Sequence, residues 1–350
     1  MKNKDKIKES WERCELYGLE HSSQPELHRL GKSQQNSLDE EYHRLIKTTG
    51  NEVLPYYENI LSNTQCLILL TDNQGQALKS WGDQRFLASP HKALFEKGVD
   101  WKERKNGTNA IGTALACGEA VQIQRDDHFL KANRFMIGSA APIYDVNRTL
   151  LGVLDISSDA YLPQSHTLGM VKLMSQSIEN RLIISTFSDE HFLLTFNTNF
   201  DNLDSQWSGL IVFNESGTII SANRRTELLL CYDLALANIT DIVDVPLQQL
   251  KNQLPNLPFA FRALKKYQMH GFIKAPIKNE IQPVDFRMNI SPKPDPSIIS
   301  LEQFGFGDEK VARCIEQAQR IIDKDIPIPI VIKIPSPIFN RCLNKYRSRR

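Results

Sequence analysis

Two β-like runs on either side of a short polar turn most constrain what this chain folds into. Met136 to Tyr144 and Leu150 to Ile156 are rich in apolar residues, and Asp145-Val146-Asn147-Arg148 between them has the composition of a turn. His166 to Ser188 follows, with apolar residues at helical spacing. Strands joined this closely pair antiparallel, so the pattern predicts an antiparallel sheet covered by a helix.

The residues before this hairpin predict the remainder of the same sheet. Residues 1–48 alternate charged stretches with apolar positions at helical spacing, which predicts a helical N-terminal segment for partner or dimer contacts. Cys66 to Thr71 and Ala77 to Trp81 predict a hairpin, and Ala120 to Gln124 predicts a short strand.

A helical pattern from Gly107 to Leu115 begins with a glycine-rich motif. Thr108 or Asn109 is available as its N-cap. The spacing of Gly107 and Gly112 matches part of a phosphate-binding P-loop, but Thr113 stands where that loop requires a lysine. A helix N-terminus that faces a pocket is therefore the better interpretation.

A second sheet-like pattern follows the long helix. Leu210 to Phe213 and Thr218 to Ile220 flank a polar turn, and Asn223 to Leu230 is helical. We expect Pro283 to Ser291 to supply the last strand, with a proline-rich linker after it and a helix from Asp308 to Asp323. The predicted fold class is α/β (α+β), with antiparallel sheets flanked by helices.

Composition excludes several classes of protein. Of 350 residues, 42 are Lys or Arg and 41 are Asp or Glu, so no global charge attracts nucleic acid or an anionic membrane. No apolar run approaches the roughly 20 residues that span a bilayer, and the charged N-terminus resembles no export signal. We expect a cytoplasmic protein.

The cysteines and polar clusters indicate no metal, no cofactor and no catalytic residues. The six cysteines are scattered without a C-x-x-C pair, and we interpret them as reduced thiols. Cys117 is a candidate reactive thiol, but an inert residue is the simpler interpretation. The cluster Asp126-Asp127-His128 fits a helix cap or surface patch better than a titrating site. The aromatic residues Trp101, Phe129, Phe135 and Tyr144 fit either ordinary core or the lining of an apolar pocket.

These motifs resemble the sigma-54-dependent activators that regulate acetoin and glycerol/dihydroxyacetone catabolism. Ser10-Trp11-Glu12-Arg13-Cys14 is similar to the lead-in of that family. Segments similar to its GAF sensor domain follow in the same order: Trp101, Gly107 to Leu115, Asp127-His128-Phe129, Ala140 to Asp145 and Gly152 to Ser157. Gly209 to Phe213 and Ser221-Ala222-Asn223 resemble the following PAS domain, and Phe304 to Ile328 resembles the start of its AAA+ ATPase domain.

The resemblance implies a domain order, with the ATPase and DNA-binding parts missing. The implied order is a helical segment at 1–48, a GAF sensor domain at 49–188, a PAS-like domain at 205–292, and a linker with a truncated AAA+ start and divergent tail at 293–350. A Walker A loop and a helix-turn-helix are absent after residue 329, so we expect neither ATP hydrolysis nor direct DNA binding. A shifted reading frame near that residue is the hypothesis that accounts for this.

Two smaller departures lie inside the GAF resemblance. Arg148 stands where the family commonly has a turn glycine, which predicts a turn that avoids positive φ. Gly138 stands where the family often has a cysteine, so a thiol ligand is not expected there.

The resemblance implies a non-enzymatic protein that senses a small diol or hydroxyketone. The candidate ligand-binding residues are Trp101, Asn109, Thr113, His128, Phe129, Ser139 and Asp155. The implied partners are this effector and a second copy in a homodimer, or an intact regulator in a mixed oligomer. Two alternatives stay open: a pure interaction protein that modulates an intact regulator, and a GAF-type thiol reductase that uses Cys66 or Cys117.

Overall fold

Five antiparallel strands form the first sheet of the computed structural model. The structure describes residues 3–276 apart from 27, 63, 86, 160–165, 233, 235, 236 and 256. The strands are β1 Cys66–Asp72, β2 Ala77–Gly82, β3 Val121–Gln124, β4 Met136–Tyr144 and β5 Leu150–Asp159. Their order in the sheet is β2-β1-β5-β4-β3. Both predicted hairpins are therefore confirmed, with Thr71 opposite Ala77 and Ile143 opposite Gly152 near the turns.

The two faces of this sheet bury separate apolar clusters, because successive side chains of a strand point to opposite faces. One cluster contains Ile68, Leu154 and Ile156 and packs against helices. These helices are α3 His43–Tyr56, which a π-helical turn extends to Leu61, and α7 Thr167–Phe187. The other cluster contains Leu67, Leu69, Trp101 and Val153 and lies against helix α6, Ala110–Cys117.

The N-terminal helix packs onto the first sheet domain. Helix α1, Asn3–Leu16, contacts α6, β3 and the short helix α5, Glu103–Asn106. The side-chain amide of Asn3 donates to the carbonyl of Gln122 at 2.8 Å and accepts from its backbone N–H at 3.2 Å, so α1 covers the β3 edge of the sheet. Lys6 adds an ion pair to Glu119 at 2.6 Å. Helices α2, Lys32–Glu41, and α4, Ser89–Lys92, complete this part of the chain.

A second five-stranded antiparallel sheet follows α7. Its strands are β6 Phe192–Asn197, β7 Gly209–Phe213, β8 Ile219–Ala222, β9 Phe259–Ala263 and β10 Tyr267–Lys274, in the order β8-β7-β6-β10-β9. Helices α8 Arg224–Leu230, α9 Ile239–Ile242 and α10 Leu247–Lys251 lie in the same region. The predicted strands β7 and β8 and the predicted helix α8 are confirmed, whereas β6, β9 and β10 were not predicted; β6 pairs with β7 on one side and β10 on the other.

The second sheet begins at Phe192 rather than at residue 205, because β6 is its central strand. By its contacts the chain divides into Met1–Glu280 and Ile281–Arg350. The predicted strand at 283–291, the predicted helix at 308–323 and the predicted AAA+ start all lie outside the described residues. None of the helices among the described residues combines the length and the apolar character of a membrane span.

The turn between β4 and β5 corrects one expectation. Arg148 has φ of 66°, so this turn does adopt the left-handed conformation that sequence analysis predicted it would avoid. The carboxylate of Asp145 accepts from the backbone N–H groups of Asn147 and Thr149 at 2.8 Å each, and Arg148 forms an ion pair with Glu227 at 2.7 Å. These contacts hold a backbone conformation that glycine adopts at lower cost.

Candidate functional site

The first turn of α6 is built from hydrogen bonds that sequence analysis partly foresaw. Asn109 is the N-cap, and its side-chain oxygen accepts from the backbone N–H of Gly112 at 2.8 Å. Its side-chain amide donates to the carbonyls of Trp101 and Gly107 at 3.0 and 2.8 Å. The Asn109 side chain therefore positions α6 against the segment before it, and its polar atoms are already engaged.

Asp155 lies on the sheet face that α6 covers. It pairs in register with Leu69 on β1 and Ala140 on β4, which both belong to the apolar cluster of that face. Its side chain is 1% exposed. Ser157 donates to Oδ2 at 2.6 Å, whereas Oδ1 has no hydrogen-bond partner.

Distances from the neighbouring Gly138 show where Oδ1 of Asp155 lies. A Cβ added to Gly138 would lie 3.3 Å from Asp155 Oδ1 and 2.8 Å from the Cβ of Ala110 in α6. The unpartnered oxygen therefore faces the narrow space between β4 and the first turn of α6. Burial raises the pKa of Asp155 to about 7, against the opposing effect of the Ser157 hydrogen bond.

Trp101 supplies a second unpartnered polar atom to the same apolar cluster. Its ring is 2% exposed and packs 5.1 Å from the ring of Phe95, centroid to centroid. The indole Nε1–H has no hydrogen-bond acceptor. An unpaired donor and an unpaired carboxyl oxygen thus belong to one apolar environment, where each unsatisfied group costs about 1–3 kcal/mol.

His128 and Phe129 lie in the loop after β3, and Phe129 faces the N-terminal segment. Phe129 packs against Trp11 and His21, with ring centroids 5.5 and 4.4 Å apart. His128 is fully buried; its Nδ1 lies 3.2 Å from the carbonyl of Arg125, and Nε2 has no partner. Burial lowers the pKa of His128 to about 4, so the ring is neutral at neutral pH.

Thr113 and Ser139 point away from Asp155. Thr113 Oγ1 donates to Glu103 Oε1 at 2.9 Å, on the side of α6 that faces α1. Ser139 accepts from Gln122 at 2.9 Å and alternates with Ala140 along β4, so it lies on the opposite face of the sheet from Asp155. Of the predicted residues, Trp101 belongs to the apolar cluster of the α6-covered face, Asp155 lies on the same face, and Asn109 caps α6.

Two residues outside the predicted set, Ser157 and Glu103, hold side chains of this region in place. Ser157 holds one oxygen of Asp155, and its position two residues along the same strand was a signal that places both on one face. Glu103 is buried and accepts hydrogen bonds from Ser10, Arg13 and Thr113, but nothing in its local sequence indicated this.

An open cleft lies at the edge of the sheet beside this cluster. It has a volume of about 530 Å³, and its apolar floor includes Leu69, Ala77 and Phe95 from the same cluster. Ion pairs Arg29–Glu96 and Lys97–Asp39 join residues of its rim. Leu69 pairs in register with Asp155, but neither Asp155 nor Trp101 is among the residues that line this cleft.

The described residues contain no group of three or more His, Cys, Asp or Glu side chains arranged to hold a metal ion. Cys66 is buried on β1, and burial raises the pKa of its thiol. Cys117 is half-buried at the end of α6, with its thiol 3.5 Å from the carbonyl of Glu119.

Comparison with known proteins identifies a domain and a group of relatives. The GAF domain family model matches residues 58–182. The acetoin catabolism regulatory protein of Cupriavidus necator is 29% identical over 229 residues, which cover 64% of this chain and 34% of that protein. The acetoin dehydrogenase operon transcriptional activator AcoR of Bacillus subtilis is 32% identical over 222 residues, which cover 62% of this chain and 35% of AcoR.

Two further relatives come from Escherichia coli. The PTS-dependent dihydroxyacetone kinase operon regulatory protein is 23% identical over 288 residues, which cover 77% of this chain and 42% of that protein. The crystal structure of the DhaR(N)–DhaL complex matches with a TM-score of 0.48 and 16% identity, over 77% of this chain and 99% of that one. The chain thus matches between about a third and two fifths of the length of these curated relatives.

Proposed function

This chain contains a GAF domain and is a homologue of the acetoin and dihydroxyacetone operon regulators, and from that premise we propose that it senses a small hydroxylated effector. It acts without catalysis, as the sensory region of a sigma-54-dependent regulator. The second sheet serves as the PAS-like domain of that region. The effector is a diol or hydroxyketone and binds between α6 and the first sheet.

The observation that carries this proposal is the pair of unpartnered polar atoms in the α6-side cluster. Trp101 Nε1 offers a hydrogen-bond donor, and the carboxyl group of Asp155 offers a hydrogen-bonding oxygen. The surrounding side chains, among them Leu69, Ala140 and Val153, are apolar. A small neutral molecule with a carbonyl and a hydroxyl group satisfies both polar atoms when α6 moves away from β4 to admit it.

A thermal-shift titration with acetoin, 2,3-butanediol, glycerol and dihydroxyacetone tests the proposal. At a hundredfold excess over the dissociation constant, a bound effector stabilises the native state by about 2.7 kcal/mol, which raises the melting temperature by several degrees. Trp101→Phe removes the indole N–H and keeps an aromatic ring, and we expect it to reduce the rise by at least about half.

Trp81→Phe is the matched control, since Trp81 packs against the cluster on the opposite face of the sheet. Its effector-induced rise should equal that of the wild type. A rise that is equal in both tryptophan variants, or no rise with any of the four compounds, would contradict the proposal.

The thiol reductase alternative makes a separate prediction about cysteine labelling. Because the Cys66 thiol is buried and its pKa is raised, we expect Cys66→Ser to leave the labelling of the folded protein by iodoacetamide unchanged. Cys231 is exposed and serves as the control whose replacement lowers labelling. Mass spectrometry of tryptic peptides measures both. Rapid labelling of Cys66 would revive the reductase interpretation.

A further inference from the structure

Tyr144 connects three elements at the end of β4. Its hydroxyl donates to the carbonyl of Gly118 at 2.8 Å, and Gly118 is the left-handed C-cap of α6, with φ of 64°. Its backbone N–H donates to Glu179 Oε1 in α7 at 2.9 Å. The guanidinium of Arg224 lies 4.9 Å from the centre of its ring, within the range of a cation–π contact.

Arg224 belongs to the second sheet domain, where it is the first residue of α8. Its Nη2 donates to Glu179 Oε1 at 2.9 Å and its Nε to Oε2 at 3.1 Å, so the pair is bidentate. The Glu179 side chain is 5% exposed. The Glu179 carboxylate therefore accepts hydrogen bonds from Tyr144 of the first sheet domain and from Arg224 of the second. Because a buried charge is costly without partners, Glu179 stays buried only while both contacts are kept.

The opposite end of α6 lies over the candidate site. A Cβ at Gly138 would approach the Ala110 Cβ to 2.8 Å, a separation that real Cβ atoms do not show, so no spare room exists between β4 and the first turn of α6. Anything that enters this space moves α6. The helix has eight residues, and the Tyr144 hydroxyl binds the carbonyl of the residue that caps it.

We propose that Tyr144 is the positioning residue that transmits a displacement of α6 to α8 of the second sheet domain, through Gly118 on one side and through Arg224 and Glu179 on the other. This rests on the proposed function only in placing the effector beneath α6. The path consists of contiguous hydrogen-bonded and stacked groups. The variants below displace α6 or remove the Tyr144 hydroxyl, so they test the path without any effector.

Hydrogen exchange on the full chain, with no effector added, tests the link. Gly138→Ala pushes α6 away from β4, and we expect exchange of the α8 amides, residues 224–230, to rise about threefold or more while β9 amides keep their rates. In the Gly138→Ala/Tyr144→Phe double variant, the α6 amides should still respond, but the response of α8 should fall to less than half. Tyr144→Phe keeps the ring and removes only the hydroxyl.

Tyr267→Phe is the matched control, because Tyr267 is an exposed tyrosine on β10, and it should leave the response of α8 intact. Ala110→Gly, which loosens the first turn of α6 without crowding it, replaces Gly138→Ala if that variant does not fold. The proposal would be overturned if Gly138→Ala did not speed exchange of the α8 amides, or if it sped that exchange equally with and without the Tyr144 hydroxyl. The effector titration fails or succeeds independently of these rates.

Discussion

Replacing Asp155 by asparagine is expected to raise the free energy of unfolding at pH 8 by about 2–4 kcal/mol. The Asp155 carboxyl is buried and has one unpartnered oxygen, and burial raises its pKa to about 7. Above that pH the native protein holds an ionised carboxylate in an apolar cluster. This destabilises the native state relative to the unfolded chain, in which water solvates the same carboxylate. The amide of asparagine carries no charge at any of these pH values.

The sign of the pH dependence follows from the same shift. The native state keeps the Asp155 proton between about pH 4 and 7, where the unfolded chain has lost it, so this group makes wild-type stability fall as the pH rises through that window. His128 acts in the opposite direction. Burial lowers its pKa to about 4, so stability from this group is present above about pH 6.5 and is lost as the pH falls towards 4.

Urea denaturation at half-unit steps from pH 4 to 8 measures the effect. From pH 4 to 6.5 the Asp155 and His128 contributions oppose each other in the wild type. The Asp155→Asn variant lacks the first of them, so its stability should rise more steeply with pH than that of the wild type. The control is Asp204→Asn, because Asp204 is an exposed carboxylate of the second sheet domain. A variant curve parallel to that of the wild type would show that Asp155 does not titrate near pH 7.

Arg13→Met should lower the free energy of unfolding by about 2–4 kcal/mol, because it leaves the buried Glu103 carboxylate without its cation. The Arg13 guanidinium donates to Glu103 Oε2 at 2.6 Å and to Oε1 at 2.8 Å, while the Glu103 side chain is 4% exposed. Ser10 also donates to Oε1 at 2.6 Å. The hydrogen bond to Glu103 raises the pKa of the Arg13 guanidinium above its ordinary value. This network joins α1 to α5 and α6.

Chemical denaturation and hydrogen exchange of the α1 amides check this expectation. Lys8→Met is the matched control on the same helix, since Lys8 is 81% exposed and its contact with Glu12 spans 3.8 Å. It should change stability by less than about 0.5 kcal/mol. The double variant Arg13→Met/Glu103→Gln should recover part of the loss, because no charge then stays buried. Equal stability of the Arg13 and Lys8 variants would mean that α1 does not depend on Glu103.

Local patterns predicted the elements whose signals lie within a few residues. The apolar runs of β4 and β5, the Asn109 cap and the apolar stripe of α7 were readable because each depends on residue types and spacing along one segment. The strand β6 was missed because no turn signal set it apart after a long helix, and its central place depends on partners more than 60 residues away in β10. Arg148 was misjudged for a related reason, since its ion pair to Glu227 in α8 is a distant contact.

The sequence by itself determined the antiparallel class, the GAF-like motif order and the choice of Asp155 and Trp101 as candidates, because residue types and short spacings carry that information. Only the tertiary structure decided which candidates lie on the same face of the sheet. Ser139 lies on the other face of the sheet, Thr113 is held by Glu103, and Oδ1 of Asp155 is left unpartnered beneath α6. Burial and hydrogen-bond partnership depend on which segments pack together, and distant parts of the chain supply those partners.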